Sequence, residues 1–454
     1  MSFTLSFSRF LGKKSKLESP NFEKLGQNLT SIRQLYLDGV SSEHDKVWVN
    51  GNISSRDLPD LSSSNFSGPL PSSFSKITEL KEMDLSDNNF IGPIPSLGKA
   101  KKLAYIDLSY NGLSGSLSSA QLEGLQSLSV IGLSYNSISG TIPWYLFMLP
   151  SFEVVDLSHN QFDKWEGFRD VFSSKLVHFG GLNQSSIIDL SYNSISGSIP
   201  SSLFVLPSLW KLYLSNNQFS KLEEFTNFKG PMLLDALMKL NSLLVLDLSF
   251  NDIDDVSVTH VELSSSSKIT NLKLAFCKLK TFPDIGYYMS RTYYFSLANN
   301  NIDGSIPHSL CNALMLEVLD LSHNKISGEV PQCLMKLEVL DVGRNKLAGA
   351  FPCFLSYIST LRVLILQNNK FHGRMVCPKD SCVWNTSQIV DVAFNLFSGE
   401  LPVKWFIGWK KMISNDAGEN SKLSHIQFGG DNNHAVYYQD SITFTSRGNK
   451  DVRF

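Results

Sequence analysis

The chain has 454 residues, of which 42% are hydrophobic and 18% charged, and its formal net charge is −2. This balance excludes a strong electrostatic field for nucleic acid or anionic lipid. No apolar run reaches the length of a transmembrane helix, and the first eleven residues lack the basic start and unbroken apolar stretch of a secretory signal. Taken alone, the sequence predicts neither export nor a membrane anchor.

One phrase recurs along the chain, as in LAYIDLSYNGLSG (residues 103–115) and LEVLDLSHNKISG (residues 316–328). Ten of the twelve intervals between copies are 21–26 residues long, the period of leucine-rich repeats, in which Asn or Cys holds one fixed position. Two weaker copies lie near Val40 and Ser64. The thirteen fixed positions, here called anchors, are Asn88, Asn111, Asn136, Asn160, Asn193, Asn217, Asn251, Cys277, Asn300, Asn324, Asn345, Asn369 and Asn395.

The phrase predicts an α/β fold, a leucine-rich-repeat solenoid curved as a right-handed superhelix with a concave parallel β-sheet. Alternating Leu marks a short strand with one face inward, and one repeat buries that face only against its neighbours. The anchor amide is expected to bond backbone groups at the turn, and the Gly four residues later allows a sharp bend. The leucines predicted to be buried are Leu85, Leu108, Leu133, Leu157, Leu190, Leu214, Leu248, Leu274, Leu297 and Leu321.

Two intervals, of 33 and 34 residues, are longer than one coil. They contain residues 163–183 and 221–240, which we interpret as degenerate coils or as loops on one face. The repeat itself also places an Asp four residues before most anchors, on the outward side of the strand. We interpret these carboxylates as part of the repeat and not as a catalytic pair. They are Asp84, Asp107, Asp156, Asp189, Asp247, Asp320, Asp341 and Asp391.

Large aromatic side chains and one His occupy positions that we interpret as outward-facing on the concave sheet. Such side chains are good ligand anchors, since they bury a large area at low entropic cost. The alternative is that they stack on one another and shield the sheet. These candidate ligand-binding residues are Tyr105, Tyr110, Tyr135, His159, Tyr192, Trp210, Tyr213, Tyr293 and Tyr294.

Cysteines and Asn-x-Ser/Thr triplets favour an extracellular protein. Cys311 and Cys333 follow successive anchors and are predicted to pair, and Cys377 and Cys382 are close enough for a local bridge, whereas Cys277 is expected to stay reduced. Reduced core cysteines are the alternative. The candidate glycosylation sites are Asn28, Asn52, Asn65, Asn183 and Asn385.

No pattern for catalysis is present. The sequence contains no kinase glycine-rich loop, no His-Arg-Asp or Asp-Phe-Gly, no P-loop and no His-Glu-x-x-His. His159 and His323 share a repeat position but lie many coils apart, which excludes a shared metal. We therefore predict a protein without enzymatic activity, metal or cofactor.

Several copies continue as Gly-x-Ile-Pro, at residues 92–95, 140–143, 197–200 and 304–307. This extension resembles the plant-specific class of leucine-rich repeat. Residues 16–22, 28–30 and 35–40 look like the N-terminal part of plant receptor-like proteins, most similar to the Verticillium-wilt-resistance type. Residues 377–379, 405–406 and 437–441 look like the entry to the non-repeat island of that family.

The resemblance implies three parts: degenerate N-terminal repeats without a cap (residues 1–79), the repeat array (80–402) and a truncated island-like segment (403–454). Family members have a signal peptide, a cap, repeats after the island and a membrane helix, so we interpret the chain as a truncated product. That truncation predicts poor solubility, mobility at 410–435 and no signalling from a membrane.

The resemblance also implies a function: a ligand-recognition ectodomain at the plasma membrane, in defence or developmental signalling. It would bind a peptide, glycan or protein ligand and act through partner receptor kinases and a co-receptor. Two alternatives stay open. One is a soluble inhibitor of a secreted enzyme, similar to polygalacturonase-inhibiting proteins. The other is an inactive truncated product.

Overall fold

The computed structural model of the chain describes residues 77–166, 186–200, 209–222, 242–254, 267–283, 289–377 and 386–400, with short pieces at 2–4, 34–36, 67–70, 427–428 and 436–437 and single residues at 72, 74, 203, 206, 285 and 286. The chain divides into two compact units, Met1–Ile269 with Phe276–Lys278 and Thr270–Ala275 with Leu279–Phe454. Several predicted features lie outside the described residues: the five glycosylation sites, Cys382, the weak copies near Val40 and Ser64, most of the two long intervals, and 410–435.

The first unit is built from short parallel strands in two sets. Its strands are β1 (Ser2–Thr4), β2 (Gln34–Tyr36), β3 (Ser67–Pro69), β4 (Glu82–Asp84), β5 (Asn89–Gly92), β6 (Tyr105–Asp107), β7 (Gly112–Ser116), β8 (Val130–Gly132), β9 (Ser137–Ile142), β10 (Val154–Asp156), β11 (Gln161–Trp165), β12 (Ser186–Asp189), β13 (Ser196–Ile199), β14 (Leu209–Tyr213), β15 (Gln218–Leu222) and β16 (Val245–Asp247). The main sheet has the order β1-β2-β4-β6-β8-β10-β12-β14-β16, and the flank strands pair as β11-β9-β7-β5-β3 and as β13-β15.

The second unit repeats this plan. Its strands are β17 (Asn271–Lys273), β18 (Tyr294–Ser296), β19 (Asp303–Ser305), β20 (Val318–Asp320), β21 (Lys325–Gly328), β22 (Val339–Asp341), β23 (Lys346–Gly349), β24 (Val363–Ile365), β25 (Lys370–Arg374), β26 (Ile389–Asp391), β27 (Leu396–Ser398), β28 (Gln427–Phe428) and β29 (Val436–Tyr437). The main sheet has the order β17-β18-β20-β22-β24-β26 and the flank sheet β19-β21-β23-β25-β27, while β28 and β29 form an antiparallel pair.

Helix is scarce in the described residues. It is limited to a single α-helical turn, α1 (Ser119–Leu122), and three 3₁₀ helices, η1 (Trp144–Met148), η2 (His308–Asn312) and η3 (Cys353–Tyr357). These segments follow the flank strands and return the chain to the next main-sheet strand. The structure confirms a leucine-rich-repeat solenoid within each unit.

The predicted leucine core is confirmed. All ten leucines predicted to be buried are at most 1% exposed. The strand before each of these leucines pairs in register with the strand of the next coil, so that Ile106 lies beside Ile131 and Val155 beside Ile188. Burying a Leu side chain contributes about 1.5–3 kcal/mol. Each coil therefore depends on its neighbours for most of its stability.

The anchors form a ladder of hydrogen bonds between coils. Asn217 donates to the Leu190 carbonyl of the preceding coil at 2.8 Å and to carbonyls of its own turn, while its Oδ1 accepts from the Ile195 N–H at 3.0 Å. At Cys277 the thiol donates to the Leu248 carbonyl at 3.4 Å. The ladder satisfies backbone groups that a buried turn would otherwise leave unpaired.

One backbone position is left-handed in all thirteen coils, and a second is left-handed in nine of them. The residue before each of the thirteen anchors has φ between 51° and 56° although none is Gly, and the Gly four residues after nine of the anchors has φ between 78° and 110°. A left-handed residue other than Gly costs on the order of 1–3 kcal/mol. The anchor hydrogen bonds on either side hold the turn in this conformation.

Candidate functional site

The main sheet of the first unit presents one face to the leucine core and the opposite, outward face to solvent. Strand pairing aligns its outward side chains in two columns. The apolar column contains Glu82, Tyr105, Val130, Val154, Ile187, Lys211 and Val245, and the acidic column contains Asp84, Asp107, Gly132, Asp156, Asp189, Tyr213 and Asp247. All seven members of the apolar column are half-buried. This face offers a strip of largely apolar contact beside a strip of negative charge.

The acidic column has a structural role in each coil. Asp107 Oδ1 accepts a hydrogen bond from the Ser109 N–H at 2.9 Å, which fixes the turn that follows the strand. The same bond to the N–H two residues ahead is made by Asp84, Asp156, Asp189, Asp247, Asp320, Asp341 and Asp391. These carboxylates are therefore turn acceptors, in agreement with their interpretation as part of the repeat.

Several of these carboxylates are buried although they lie on the outward side of the strand. Asp189, Asp247, Asp320 and Asp341 are buried, with 5–9% of each residue exposed. Burial, with the neighbouring charges of Asp156 and Asp247, raises the pKa of Asp189 to about 7. Burial also raises the pKa of Asp107. The carboxylates crowd one another because adjacent strands lie only about 4.8 Å apart.

Three of the nine candidate ligand-binding residues lie on main-sheet strands of the first unit. Tyr105 is in β6, with its hydroxyl 3.4 Å from Asp107 Oδ2. Trp210 and Tyr213 are in β14, where the pairing with β12 shifts by one residue and Trp210 is the additional residue. The Lys211 ammonium lies 4.5 Å from the centre of the Trp210 ring. Trp210, Lys211 and Tyr213 thus form a mixed aromatic and cationic group on one strand.

Five candidates are not on strands, which corrects the sequence interpretation. One of them, Tyr293, directly precedes β18. Tyr110, Tyr135, His159 and Tyr192 each occupy the left-handed position before an anchor. Their rings form one continuous stack, with centroids 4.3, 3.9 and 4.1 Å apart and planes within 13° of parallel. We call this group the ring stack. Its inner ring faces are occupied by neighbouring rings, which favours the shielding alternative for these four residues.

The ring stack presents ring edges and polar groups to solvent. Tyr135 is 42% exposed and Tyr192 is 50% exposed. His159 is sandwiched between them, and this partial burial lowers its pKa, a shift opposed by the charge of Asp156. The ring stack lies beside the acidic column, and its rings cover one another's faces, so little ring face is left for a ligand.

Tyr293 and Tyr294 belong to the second unit, whose outward face differs. Tyr294 is in β18 and packs against a cluster of Val318, Val339, Val363 and Ile365, each at most 4% exposed. These valines correspond to the half-buried apolar column of the first unit. Because they are buried, these three valines offer no exposed apolar surface.

The sequence interpretation missed three residues of the outward face: Phe250, Phe276 and Lys211. Phe250 and Phe276 hold the left-handed position before their anchors and stack at 4.1 Å, and each is more than 40% exposed. Their position directly before the anchors Asn251 and Cys277 is the sequence feature that would have identified them. Lys211 was missed because a bulge, which no sequence pattern marks, places it against Trp210.

Two of the three cysteine predictions are confirmed and one is wrong. Cys311 pairs with Cys333, and Cys277 is a buried thiol that is not in a disulfide, as predicted. The predicted bridge between Cys377 and Cys382 is wrong, because Cys377 pairs with Cys353 of the preceding coil, with 5.5 Å between their Cα atoms. Burial raises the pKa of the Cys277 thiol to about 12. Both bridges join one coil to the next within the second unit.

Within the described ranges, no three His, Cys, Asp or Glu side chains converge as ligands of a metal ion would. Over the same residues, no helix has the length and apolar character needed to cross a membrane.

Comparison with known proteins supports the repeat assignment. Models of the Leucine Rich Repeat family match residues 79–99, 186–206, 292–313 and 315–337, and a second such model matches residues 239–264. The plant peptide hormone receptor RGFR1, solved in complex with RGF2, is similar in fold, with a TM-score of 0.66 and 24% identity over 84% of this chain and 54% of that one.

Two curated relatives from Arabidopsis thaliana extend the similarity. Receptor-like protein 35 is 27% identical over 277 residues, which is 59% of this chain and 27% of the relative. Receptor-like protein 53 is 31% identical over 285 residues, which is 59% of this chain and 26% of the relative. The chain thus spans about a quarter of the length of these relatives, and the Verticillium-wilt subtype stays a prediction. The chain thus contains leucine-rich repeats and is similar to plant receptor-like proteins over 59% of its length.

Proposed function

We propose that this chain is the non-catalytic, extracellular recognition part of a plasma-membrane receptor, and that it binds a peptide on the outward face of the first unit. The observation that carries the proposal is the contrast between the two units. The apolar column of the first unit is half-buried and reachable, whereas the matching valines of the second unit are at most 1% exposed. The similarity to RGFR1, a peptide hormone receptor, supports the same class of ligand.

The chemistry of this face specifies the ligand further. An extended peptide lying across the strands would place apolar side chains on Val130, Val154 and Ile187. Basic side chains would meet the acidic column, where Asp107 and Asp156 are half-buried on either side of Gly132. Trp210 and Tyr213 would be the aromatic anchors, since residues of these types contribute most at binding surfaces. The ligand is therefore proposed to be a peptide that alternates apolar and basic residues.

The disulfides support the proposed location. Cys311–Cys333 and Cys353–Cys377 each tie adjacent coils, and such bonds persist in oxidising compartments such as the extracellular space. The proposed receptor would signal through partner receptor kinases and a co-receptor, in defence or development. Identifying the peptide ligand would be the first step toward identifying these partner kinases and the co-receptor.

A peptide selection tests the proposal. The chain, secreted with its disulfides, is used to enrich a displayed library of random twelve-residue peptides, and the Kd of enriched peptides is measured by fluorescence anisotropy. We expect Trp210→Ala to weaken binding by about 2 kcal/mol or more, the scale of an interface hot spot. Tyr357→Ala is the matched control, because Tyr357 is 50% exposed and belongs to the second unit.

Thermal unfolding of each variant separates binding from folding. The proposal requires that Trp210→Ala loses affinity while its midpoint stays near that of the parent chain. Equal loss of stability and affinity would assign Trp210 a shielding role. Enriched peptides that bind Trp210→Ala and Tyr213→Ala as well as the parent would place the peptide site elsewhere.

A further inference from the structure

The disulfide between Cys311 and Cys333 lies at the surface of the second unit and joins two adjacent coils. Cys311 is in η2 and is half-buried, whereas Cys333 is exposed. Leu310 and Leu334, which neighbour the two cysteines in sequence, are 1% and 4% exposed and hold both segments against the core. The bridge is therefore open to solvent at Cys333 while the backbone that supports it is packed.

A histidine adjoins one sulfur of this bridge. The Nδ1 atom of His308 lies 3.7 Å from the Cys311 Sγ atom, one 3₁₀ turn earlier in η2, and the His308 side chain is exposed. A proton on this imidazole would stabilise a thiolate at Cys311, because a cationic donor favours the charged form of a thiol. When the disulfide is opened by exchange, Cys311 is thus the better leaving sulfur.

The second bridge, between Cys353 and Cys377, has different surroundings. Both of its cysteines are half-buried. The Cys353 Sγ atom lies 3.6 Å from the carbonyl oxygen of Val376. This oxygen only accepts hydrogen bonds, so on reduction it favours a neutral thiol over a thiolate. The two bridges therefore differ both in access to a sulfur and in the form of cysteine that the neighbouring group stabilises.

We propose that Cys333 is a modification site for small thiols of the glutathione class, which form a reversible mixed disulfide there. The thiolate of the small thiol attacks the Cys333 Sγ atom, a new S–S bond forms, and the bond to Cys311 breaks. The electron pair leaves on the Cys311 Sγ atom, where His308 stabilises it. One thiolate and one disulfide give another thiolate and another disulfide, so no oxidant or reductant is consumed beyond the small thiol itself. A thiol of this size needs no docking surface besides the exposed sulfur.

The modification changes one link and leaves the scaffold in place. Opening the bridge releases the 22-residue connection between the two coils. The same coils stay joined by the pairing of β20 with β22 and by the anchor bond from Asn345 to the Leu321 carbonyl at 2.9 Å. Because the fold persists, the Cys311 thiolate stays near the adduct and can reverse the step by attacking it. This site lies on the second unit and does not depend on the proposed peptide site.

Mass mapping of the full oxidised chain tests the proposal. The chain is incubated with glutathione at constant pH without denaturant, samples are blocked with N-ethylmaleimide at intervals, and the label on each cysteine is identified after proteolysis. We expect glutathione on Cys333 and N-ethylmaleimide on Cys311, before Cys353 or Cys377 carries either label. A chain that does not react, an adduct on Cys311 instead, or equal rates at the two bridges would each overturn the proposal.

His308→Gln tests the role of the imidazole. We expect this variant to form the adduct about threefold more slowly or worse, because a less stabilised thiolate leaves more slowly. His372→Gln is the control and should react like the parent chain, since His372 is also exposed but its Nδ1 atom adjoins the Lys370 carbonyl oxygen at 3.3 Å. Thermal unfolding of the oxidised variants checks that both keep the parent midpoint. An unchanged rate in His308→Gln, or a parent rate that climbs with urea below the unfolding transition, would refute direct attack on the folded chain.

Discussion

The carboxyl of Asp189 is expected to make the stability of the first unit depend on pH. Burial and the charges of Asp156 and Asp247 raise its pKa from 3.8 to about 7. The folded chain therefore holds the Asp189 proton more tightly than the unfolded chain does. By linkage, the full stability is present below the unfolded pKa near 4, and it falls as the pH rises from about 4 to about 7. Above about pH 7 the stability that depends on Asp189 has been lost and no longer changes with pH.

The size of the effect follows from the shift. Each pKa unit corresponds to about 1.36 kcal/mol, so a shift of about three units corresponds to on the order of 4 kcal/mol. Asp189→Asn removes the titration and keeps an Oδ1 acceptor for the Ser191 N–H, which now lies 2.9 Å from the carboxylate. We expect this variant to exceed the parent in unfolding free energy by a few kcal/mol at pH 8, and to differ little near pH 4.

The assay is urea denaturation of parent and variant, followed by tryptophan fluorescence at half-unit steps between pH 4 and 8.5. Asp391→Asn is the control, because Asp391 makes the same turn bond to Ala393 but is only half-buried. Hydrogen exchange in β12 assigns any gain to the coil that contains Asp189. Parallel pH curves for parent and Asp189→Asn, or a variant less stable than the parent at pH 8, would refute the reasoning.

Three further predictions concern the scaffold. Asn217→Ala leaves the Ile195 N–H without its 3.0 Å acceptor, and should cost about 2–4 kcal/mol with faster hydrogen exchange in the neighbouring coils. Tyr135→Ala removes two ring contacts of the ring stack and should cost about 1–3 kcal/mol in denaturation, whereas Tyr135→Phe should resemble the parent. The double variant Cys353→Ser with Cys377→Ser opens a 24-residue link and should destabilise the second unit by about 3 kcal/mol; peptide mapping that instead joins Cys377 to Cys382 would contradict the pairing.

The core could be predicted because its positions repeat under one physical constraint. Leu at a fixed spacing must face inward in every coil, and all ten predicted leucines do so. The anchor amides could be predicted for the same reason, since a buried turn needs donors and acceptors at one place. The Gly four residues after an anchor likewise occupies a backbone region that Gly favours. Each of these features follows from local sequence and the stacking of equal coils.

Closeness in sequence and strand boundaries were poor guides to contacts that depend on how the coils stack. Cys377 was paired with Cys382 because they are close along the chain, although Cys353 and Cys377 each follow an anchor by eight residues and so stack on adjacent coils. Tyr110, Tyr135 and Tyr192 lie three residues after their strands end, in the turn directly before the anchor. A consistent use of the repeat position would have corrected both, whereas the bulge at Trp210 has no sequence signal.

The left-handed position before each anchor separates architecture from surface chemistry. Its backbone is held at φ 51–56° by the anchor ladder in all thirteen coils, whichever side chain it carries. The fold therefore accepts Tyr135, Phe250 or Arg344 there with the same backbone. Because these side chains point into solvent beside the main sheet, substitutions at this position and at the residue after the anchor change the surface without rebuilding the coil. In the first unit six of the eight residues at this position carry rings, whereas in the second unit the position holds two rings, two asparagines and Arg344. Two surfaces of different chemistry can thus be maintained on one repeated scaffold.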